Sequence, residues 1–359
     1  MPASLKDCFA KNYEETSLDK KQALKTALML AFILFFIVMM IQAIVGAYTL
    51  TPTSTAEDLQ GLPLWQIPLV YIWDYVQHGW VCLGFAFTIS GLFAEFIPKS
   101  FTIKYMSSGK PIAYVIAMLI APLFCVCSCT MVPLFSGLIY AGGGIGPALT
   151  FLLAAPANNL LADIVTIQVL GWQIGLADIV AAGISAVVIG FLVSKTPWGK
   201  KFDQKVQKTP AQIASVELAK QPLDERLWSA LKFGGYLAKR IIPAFVVGLV
   251  AVSYFQAFFP SELVQTYLTG AMGVVYAAIL AGPLYTPTLI EVAIGKALVN
   301  LGMTPGATLA WLMGQPYDVP NALSTSRIVG WKIAITYSVL AFIAAVFSGL
   351  LYGLITGGF

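Results

Sequence analysis

Long apolar runs constrain this chain more than any other feature, because each run is long enough to cross a lipid bilayer. A transmembrane helix needs about 20 mostly apolar residues, and the 359-residue chain is 58% hydrophobic with only 11% charged residues. A soluble domain carries about 25% charged residues. We therefore predict an all-α polytopic membrane protein. The apolar runs are 24–50, 69–97, 112–140, 146–170, 174–194, 229–258, 272–299, 306–326 and 334–356.

Lysine and arginine predict how these runs are oriented, since cytoplasmic loops collect positive charge. The tail 1–23 carries several lysines, the loop 51–68 carries neither lysine nor arginine, and the loop 98–111 carries three lysines. We expect 1–23 to be a cytoplasmic tail and 24–50 to be an N-terminal transmembrane helix. The strongly basic segment 195–227 is expected to be a cytoplasmic linker.

The charge pattern also predicts that some of the apolar runs do not cross the membrane. Three apolar runs separate loop 98–111 from linker 195–227, and three full crossings would place that linker outside. We predict a re-entrant hairpin at 146–170, because Pro156 and two asparagines interrupt it; proline cannot continue a helix, and asparagine is costly in lipid. By the same reasoning 306–326 is re-entrant, which leaves seven crossings and puts the C-terminus outside.

The chain resembles itself at a spacing of 159–161 residues, so that Gly171 matches Gly330. We expect repeat 1 at 69–194 and repeat 2 at 229–358. Each repeat would have three transmembrane helices plus one re-entrant helical hairpin, and an extra N-terminal helix would precede them. An odd number of crossings inverts the second copy, and inverted repeats with broken helices are typical of secondary transporters.

Four interruptions of the apolar runs are expected to meet between the repeats and to bind cargo. Broken helices at bilayer depth are tolerated only where protein or a water-filled cavity lines them. At the repeat spacing, two cysteines of the first half correspond to two threonines of the second. The candidate substrate-binding residues are Cys125, Cys127, Cys129, Asn158, Asn159, Thr286, Thr288, Asp318 and Asn321.

The cysteine cluster predicts a site for a soft metalloid. Three of the chain's five cysteines fall within five residues, and soft metals and metalloids prefer thiolate ligands. On a regular helix Cys125 and Cys129 share a face while Cys127 points away, so a three-thiolate pocket requires an unwound segment. The alternative is that cysteine only packs here, as a small apolar residue.

Acidic residues inside the apolar runs form a second group of candidates. Acids in lipid face the protein interior and often carry protons or ions. We assign proton coupling to Glu291 and a functional role to Asp318, whereas a structural role is at least as good an interpretation of Asp163 and Asp178. The sequence has no G-x-x-x-x-G-K-[ST] phosphate loop, so we expect no ATPase activity. No nucleic-acid-binding patch stands out, so we expect no nucleic-acid partner, and we also expect no cofactor.

Several segments resemble the ArsP/YraQ-type permease family. Residues 127–134, CSCTMVPL, and 151–158, FLLAAPAN, are similar to the family's C-S-C-G-x-x-P and F-L-L-A-x-P-x-x-N motifs. Pro283–Leu289 and Leu312–Pro316 resemble its second motif block, so that the resemblance covers most of 69–356. It implies a permease, and some members of the family export trivalent organoarsenicals.

Three functions agree with this sequence. We expect a transporter and not an enzyme: a secondary-active permease of the inner (plasma) membrane that exports a soft metalloid or organoarsenical species, coupled to protons. A permease for another anionic or sulfur-containing solute is one alternative, and a membrane thiol oxidoreductase is the other. The expected partners are the small-molecule or metalloid substrate and the lipid bilayer. The oligomeric state stays open, with a homodimer as one option.

Overall fold

Helices account for the regular structure of this protein. The computed structural model describes residues 26–27, 29–35, 37–38, 62–96, 105–124, 131–158, 160–208, 223–258, 267–283 and 288–357. Within these ranges every regular element is a helix and no strand occurs, which confirms the all-α class. Three of the described helices are long and apolar enough to cross a membrane, by length and composition: Trp172–Lys195, Asp224–Tyr254 and Trp331–Thr356.

The helices form two series with the same order, joined by a short basic helix. The first series is α1 (Gln66–Phe96), α2 (Pro111–Phe124), α3 (Met131–Tyr140), α4 (Ile145–Ala157), α5 (Leu160–Leu170) and α6 (Trp172–Lys195). The joining helix is α7 (Pro197–Lys208). The second series is α8 (Leu223–Phe258), α9 (Gly270–Ala281), α10 (Thr288–Asn300), α11 (Pro305–Leu312), α12 (Val319–Val329) and α13 (Trp331–Thr356), with a 3-10 helix at Gln315–Tyr317 between α11 and α12.

The long helices α1 and α8 lie antiparallel and connect the two series. At Gly91 of α1, an added Cβ would lie 2.1 Å from a backbone carbonyl oxygen of α8, so only glycine fits this contact. Near one end, the Arg226 guanidinium donates to the Glu95 carbonyl oxygen at 3.2 Å. Near the other end, the Tyr254 hydroxyl donates to the Leu64 carbonyl oxygen at 3.1 Å. The two helices therefore stay in contact over most of their length.

Helices α4 and α5 together form a broken helix that runs the length of α6, so the predicted re-entrant hairpin at 146–170 is wrong. The Thr150 hydroxyl of α4 donates to the Ala186 carbonyl oxygen at 3.2 Å, whereas Ile167 of α5 packs against Gly175. The contacts move toward the start of α6 as the chain advances from α4 to α5. Both pieces therefore run in one direction, antiparallel to α6.

Two glycine positions explain why this segment continues past its break instead of reversing. At Gly190 of α6, an added Cβ would lie 2.6 Å from the Gly146 carbonyl oxygen, so the backbones of α4 and α6 touch. Gly171, at φ +102°, is the single residue between α5 and α6, and glycine adopts this conformation without a Cβ clash. Pro156 interrupts the hydrogen-bond ladder only locally.

The second half repeats this arrangement, so the predicted hairpin at 306–326 is wrong for the same reason. At Gly349 of α13, an added Cβ would lie 2.6 Å from the Gly306 carbonyl oxygen of α11. Farther along, the Tyr317 ring meets the Phe342 ring edge-on, with centroids 6.1 Å apart. Helix α12 then packs against α13. Helices α11 and α12 thus lie in sequence along α13.

The segments that fold back are the pairs α2–α3 and α9–α10. The Gly144 N–H, after α3, donates to the Met106 carbonyl oxygen, before α2, at 2.7 Å. The Thr304 N–H, after α10, donates to the Leu268 carbonyl oxygen, before α9, at 3.4 Å. Each pair therefore begins and ends at the same end of the bundle. The cysteine cluster falls in the connection 125–130 between α2 and α3, which lies outside the described residues.

One end of the bundle, called the basic end below, holds α7 and the start of α4. Asp203 of α7 accepts a hydrogen bond from the Ile145 N–H at 2.7 Å, and the Ser108 hydroxyl oxygen accepts one from the Gly146 N–H at 3.1 Å. The residue that precedes α4, Gly144, has no side chain to cap it. Asp203 and Ser108 therefore satisfy the first free N–H groups of the helix.

Candidate functional site

The first helix break, between α4 and α5, holds a buried amide. Asn158 ends α4, and its backbone N–H donates to the Ala154 carbonyl oxygen at 2.9 Å. Its side chain is 6% exposed and faces Gly183 of α6, where an added Cβ would lie 3.4 Å from Asn158 Nδ2. The break therefore brings a polar side chain into the interior beside α6.

The second break, between α11 and α12, holds a buried acid that caps the following helix. Asp318 Oδ1 accepts the Asn321 N–H at 2.7 Å, and Asp318 Oδ2 accepts the Asn321 Nδ2–H at 2.6 Å. Asp318 is 2% exposed, and these bonds offset part of the cost of removing it from water. Asn321 Oδ1 is buried without a hydrogen-bond partner in the described part of the chain, so it can accept a further donor.

Two hydrogen bonds attach the second break to the end of α9. The Tyr317 hydroxyl donates to the Ala278 carbonyl oxygen at 2.6 Å. The Val319 N–H donates to the Gly282 carbonyl oxygen at 3.2 Å. The connection between α9 and α10 follows directly. The broken helix of the second half is thus bonded to the pair that folds back in that half.

Three carboxylic acids from three helices line one small cavity. Asp163 belongs to α5, Asp178 to α6 and Glu291 to the first turn of α10. The cavity measures about 10 Å³, close to the space that one water molecule needs. Pro156 at the first break and Leu312 at the end of α11 also line it. The cavity therefore lies between the two halves and beside both breaks.

Like charges surround this cavity. Asp178 and Glu291 are 6% and 5% exposed. Asp163 acts electrostatically on Asp178, and both Asp178 and Asp318 act on Glu291. None of the described side chains that line the cavity is basic. Full ionisation of the acids would therefore be unfavourable, and a bound proton or cation would relieve the repulsion.

The sequence does not distinguish a structural from a functional role for Asp163 and Asp178, although their spacing contains a signal that they meet. They stand at nearly equal distances before and after Gly171. Helices α5 and α6 are antiparallel around this residue. Ile167 and Gly175, which are also equally far from Gly171, are in contact. Residues equidistant from such a turn face each other, so the pair was open to prediction once the turn was recognised.

A second cavity, of about 20 Å³, is mostly apolar and lies beside the second break. Leu153 of α4 and Ala182 of α6 meet Met313, Pro316 and Ala341 of the second half there. Pockets for small molecules measure roughly 300–1,000 Å³. Neither cavity has room for a molecule of that size.

Much of the predicted thiol site lies outside the described residues. These residues are Cys125, Cys127, Cys129, Asn159 and Thr286; for Thr288, the first residue of α10, only the backbone is described. Within the described ranges, no group of three His, Cys, Asp or Glu side chains is arranged to hold a metal ion. Binding of a soft metalloid by the cysteines stays a prediction.

Comparison with known proteins identifies the family. The ArsP_1 family model, described as a predicted permease, matches residues 70–354. The chain belongs to this family. It is similar to UPF0718 protein MJ0584 of Methanocaldococcus jannaschii, 29% identical over 342 residues that cover 79% of this chain and 94% of the relative. It is also similar to UPF0718 protein YraQ of Escherichia coli K12, 23% identical over 256 residues that cover 70% of each chain. No solved structure matches the chain significantly.

The family confirms the resemblance found in the sequence. Membership in ArsP_1, together with the apolar helices, supports a membrane permease and suggests a transporter rather than an enzyme. The matched residues include both helix breaks and all three acids of the small cavity.

Proposed function

We propose that this ArsP-family chain is a secondary-active permease of the inner membrane, and that its cargo passes between two inverted halves at the two helix breaks. One observation carries the proposal. The broken helices α4–α5 and α11–α12, one from each half, border both small cavities, and Glu291 lines the cavity of about 10 Å³. Discontinuous helices around a central site are typical of secondary transporters.

The directions of α5 and α12 support the inverted relation. Helix α6 ends at the basic end, so α5, which precedes it through Gly171, ends at the opposite end. Helix α12 ends toward the basic end, because the Arg240 guanidinium donates to the Arg327 carbonyl oxygen at 2.8 Å and to the Tyr236 hydroxyl at 2.9 Å. The Tyr236 ring lies 6.5 Å, centroid to centroid, from Tyr140 at the end of α3. Equivalent helices that end on opposite sides are what an inverted repeat requires.

The basic end is proposed to face the cytoplasm. Helix α7 has the sequence PWGKKFDQKVQK, and cytoplasmic segments collect lysine. The N-terminus would then lie in the cytoplasm and the C-terminus outside.

A soft metalloid or a trivalent organoarsenical is the proposed cargo, exported from the cytoplasm. The cysteine cluster belongs to the connection between α2 and α3, outside the described residues, and its thiols are proposed as the ligands of the cargo. A thiol releases its proton, and the resulting thiolate binds the soft centre. Polar contacts are assigned to Asn158, Asn159, Thr286, Thr288, Asp318 and Asn321, and proton coupling to Glu291.

Uptake into inside-out proteoliposomes tests the cargo. Methylarsenite uptake would be measured for the wild type and for the triple variant Cys125→Ser, Cys127→Ser, Cys129→Ser. The matched control replaces the other two cysteines, Cys8→Ser and Cys82→Ser. We expect uptake by the wild type and by the control, and its loss in the triple variant. Equal uptake by all three proteins would remove the thiols from the site.

A pH gradient tests the coupling. We expect wild-type accumulation of methylarsenite to increase when protons can flow against the cargo, and Glu291→Gln to lose this dependence. Wild-type accumulation that does not depend on the pH gradient would contradict proton coupling. If no arsenical is carried but thiol alkylation leaves transport of an anionic solute intact, the alternative cargo class is favoured.

A further inference from the structure

We propose that Asp163, Asp178 and Glu291 form one shared proton site between the two halves, and that the driving proton binds there. The inference rests on the proposed function and adds two acids to it. Two of the carboxyl groups belong to the first half and one to the second. A proton shared among them would therefore hold the halves in contact.

Helix packing explains why the three acids meet. Asp163 and Asp178 face each other because α5 and α6 are antiparallel around Gly171. Helix α5 also packs against α10 across the interface between the halves, which brings Glu291 to the same cavity. Pro156 lines this cavity too, so the acids border the place where the first broken helix is open.

Asp178 is the residue that requires a ligand. It is 6% exposed, and its Oδ1 is buried without a hydrogen-bond partner in the part of the chain that the structure describes. A buried carboxylate oxygen without a partner is unfavourable. A protonated carboxyl group, in contrast, donates a hydrogen bond to a neighbouring carboxylate. One proton on this group of acids would satisfy Asp178 and remove part of the repulsion.

Among the described residues, none that lines the cavity carries a positive charge. Thr166 of α5 lines the cavity. Asp318 and Tyr317 of the second break interact electrostatically with Glu291. Lys296, farther along α10, is exposed. The polar groups of the described residues named around the site are thus acids, a tyrosine and a threonine, and this surrounding favours proton binding.

The size of the cavity favours a proton over a metal ion. At about 10 Å³ it has room for about one water molecule. Calcium takes about six to eight oxygen ligands, and magnesium demands an octahedral set. No three carboxylate, imidazole or thiol groups of the described residues are arranged to hold a metal ion. The carboxyl groups can bind protons without any such geometry.

Protonation would control the contact between α5 and α10. While the acids share a proton, a hydrogen bond joins them across the interface of the halves. When the proton leaves, carboxylates remain that repel each other, and separation of the halves becomes favourable. The proton arrives from one side of the membrane, is held as a carboxylic acid, and departs to the other side, leaving the carboxylate.

Infrared spectroscopy of the full-length protein in lipid vesicles tests this site without any cargo. The C=O band of protonated carboxyl groups would be titrated in sodium-free buffer for the wild type, Asp163→Asn, Asp178→Asn and Glu291→Gln. Glu225→Gln, at an exposed acid of the first turn of α8, is the matched control. We expect a band at neutral pH in the wild type and the control, and its loss or shift in all three variants.

Several outcomes would overturn the proposal. A band unchanged in all three variants would remove the acids from proton binding, and a change in only one would show that the proton is not shared. Displacement of the band by sodium at constant pH would indicate a cation site instead. Unfolding temperatures identify any variant that misfolds, and the remaining two then decide the result. Loss of the thiol-dependent transport alone would refute the cargo and leave this site intact.

Discussion

Replacing Asp203 by alanine should loosen the start of α4 while the rest of the fold stays in place. Asp203 Oδ1 accepts the N–H of the fully buried Ile145 at 2.7 Å, and alanine offers no acceptor. A lost helix cap costs about 0.5–2 kcal/mol, and a buried donor left unsatisfied costs about 1–3 kcal/mol. We expect the opening of the first turn of α4 to become easier by about 1–2 kcal/mol. The cost is not larger because Ser108 still accepts the Gly146 N–H.

Hydrogen–deuterium exchange of the purified protein measures this change directly. A loss of about 1–2 kcal/mol should raise the exchange rate at the start of α4 roughly 5–30-fold. Asp203→Asn is the matched control, since its amide oxygen keeps an acceptor for Ile145. Equal exchange at residues 145–150 in the alanine variant and the wild type would refute the capping role. An equal increase in both variants would show that the negative charge stabilises the helix start.

The same carboxyl group predicts a pH dependence with a definite sign. Burial raises the pKa of Asp203 and outweighs the hydrogen bonds from Ile145 and Ser108, which act in the opposite direction. The folded state therefore binds this proton more tightly than the unfolded state, whose Asp pKa is about 3.9. Relative to Asp203→Asn, the wild type should lose stability as the pH rises from about 3.9 through the folded pKa. Thermal unfolding measures this stability. A difference in unfolding temperature between the wild type and Asp203→Asn that stayed constant over this pH range would contradict the prediction.

Two further substitutions test the helix contact and the second break. Gly190→Ala would place a Cβ 2.2 Å from Thr150 Oγ1, so we expect a loss of about 1–3 kcal/mol in thermal unfolding. Gly235→Ala meets no atom within 4 Å and is the control, and equal unfolding temperatures would contradict the close approach. Asn321→Ala removes the hydrogen bond from Asn321 Nδ2–H to Asp318 Oδ2 and keeps the backbone N–H bond to Asp318 Oδ1, and the loss of the side-chain bond should cost about 1–3 kcal/mol. An unchanged unfolding temperature would show that the side-chain bond between Asn321 and Asp318 is dispensable.

The error in locating the re-entrant segment has a physical cause. The lysine pattern requires one apolar run between 98–111 and 195–227 to fold back, and the structure has one such run, α2–α3. Proline occurs in that run, at Pro122 and Pro133, as well as at Pro156. A proline interrupts a helix equally well in a reversing turn and in a broken crossing helix. Only the contacts of α4 and α5 along α6 show that 146–170 is a broken crossing helix and not a reversing turn.

The sequence by itself determined the all-helical membrane class, the family and the positions of both helix breaks. These properties depend on hydropathy, proline and glycine, which act on neighbouring residues of the chain. The tertiary structure decided the direction of each broken helix, the cap that Asp203 provides to Ile145, and the meeting of Asp163 and Asp178 with Glu291. Such contacts join residues that are far apart in the chain. They depend on how closely two backbones approach, which local sequence patterns do not encode.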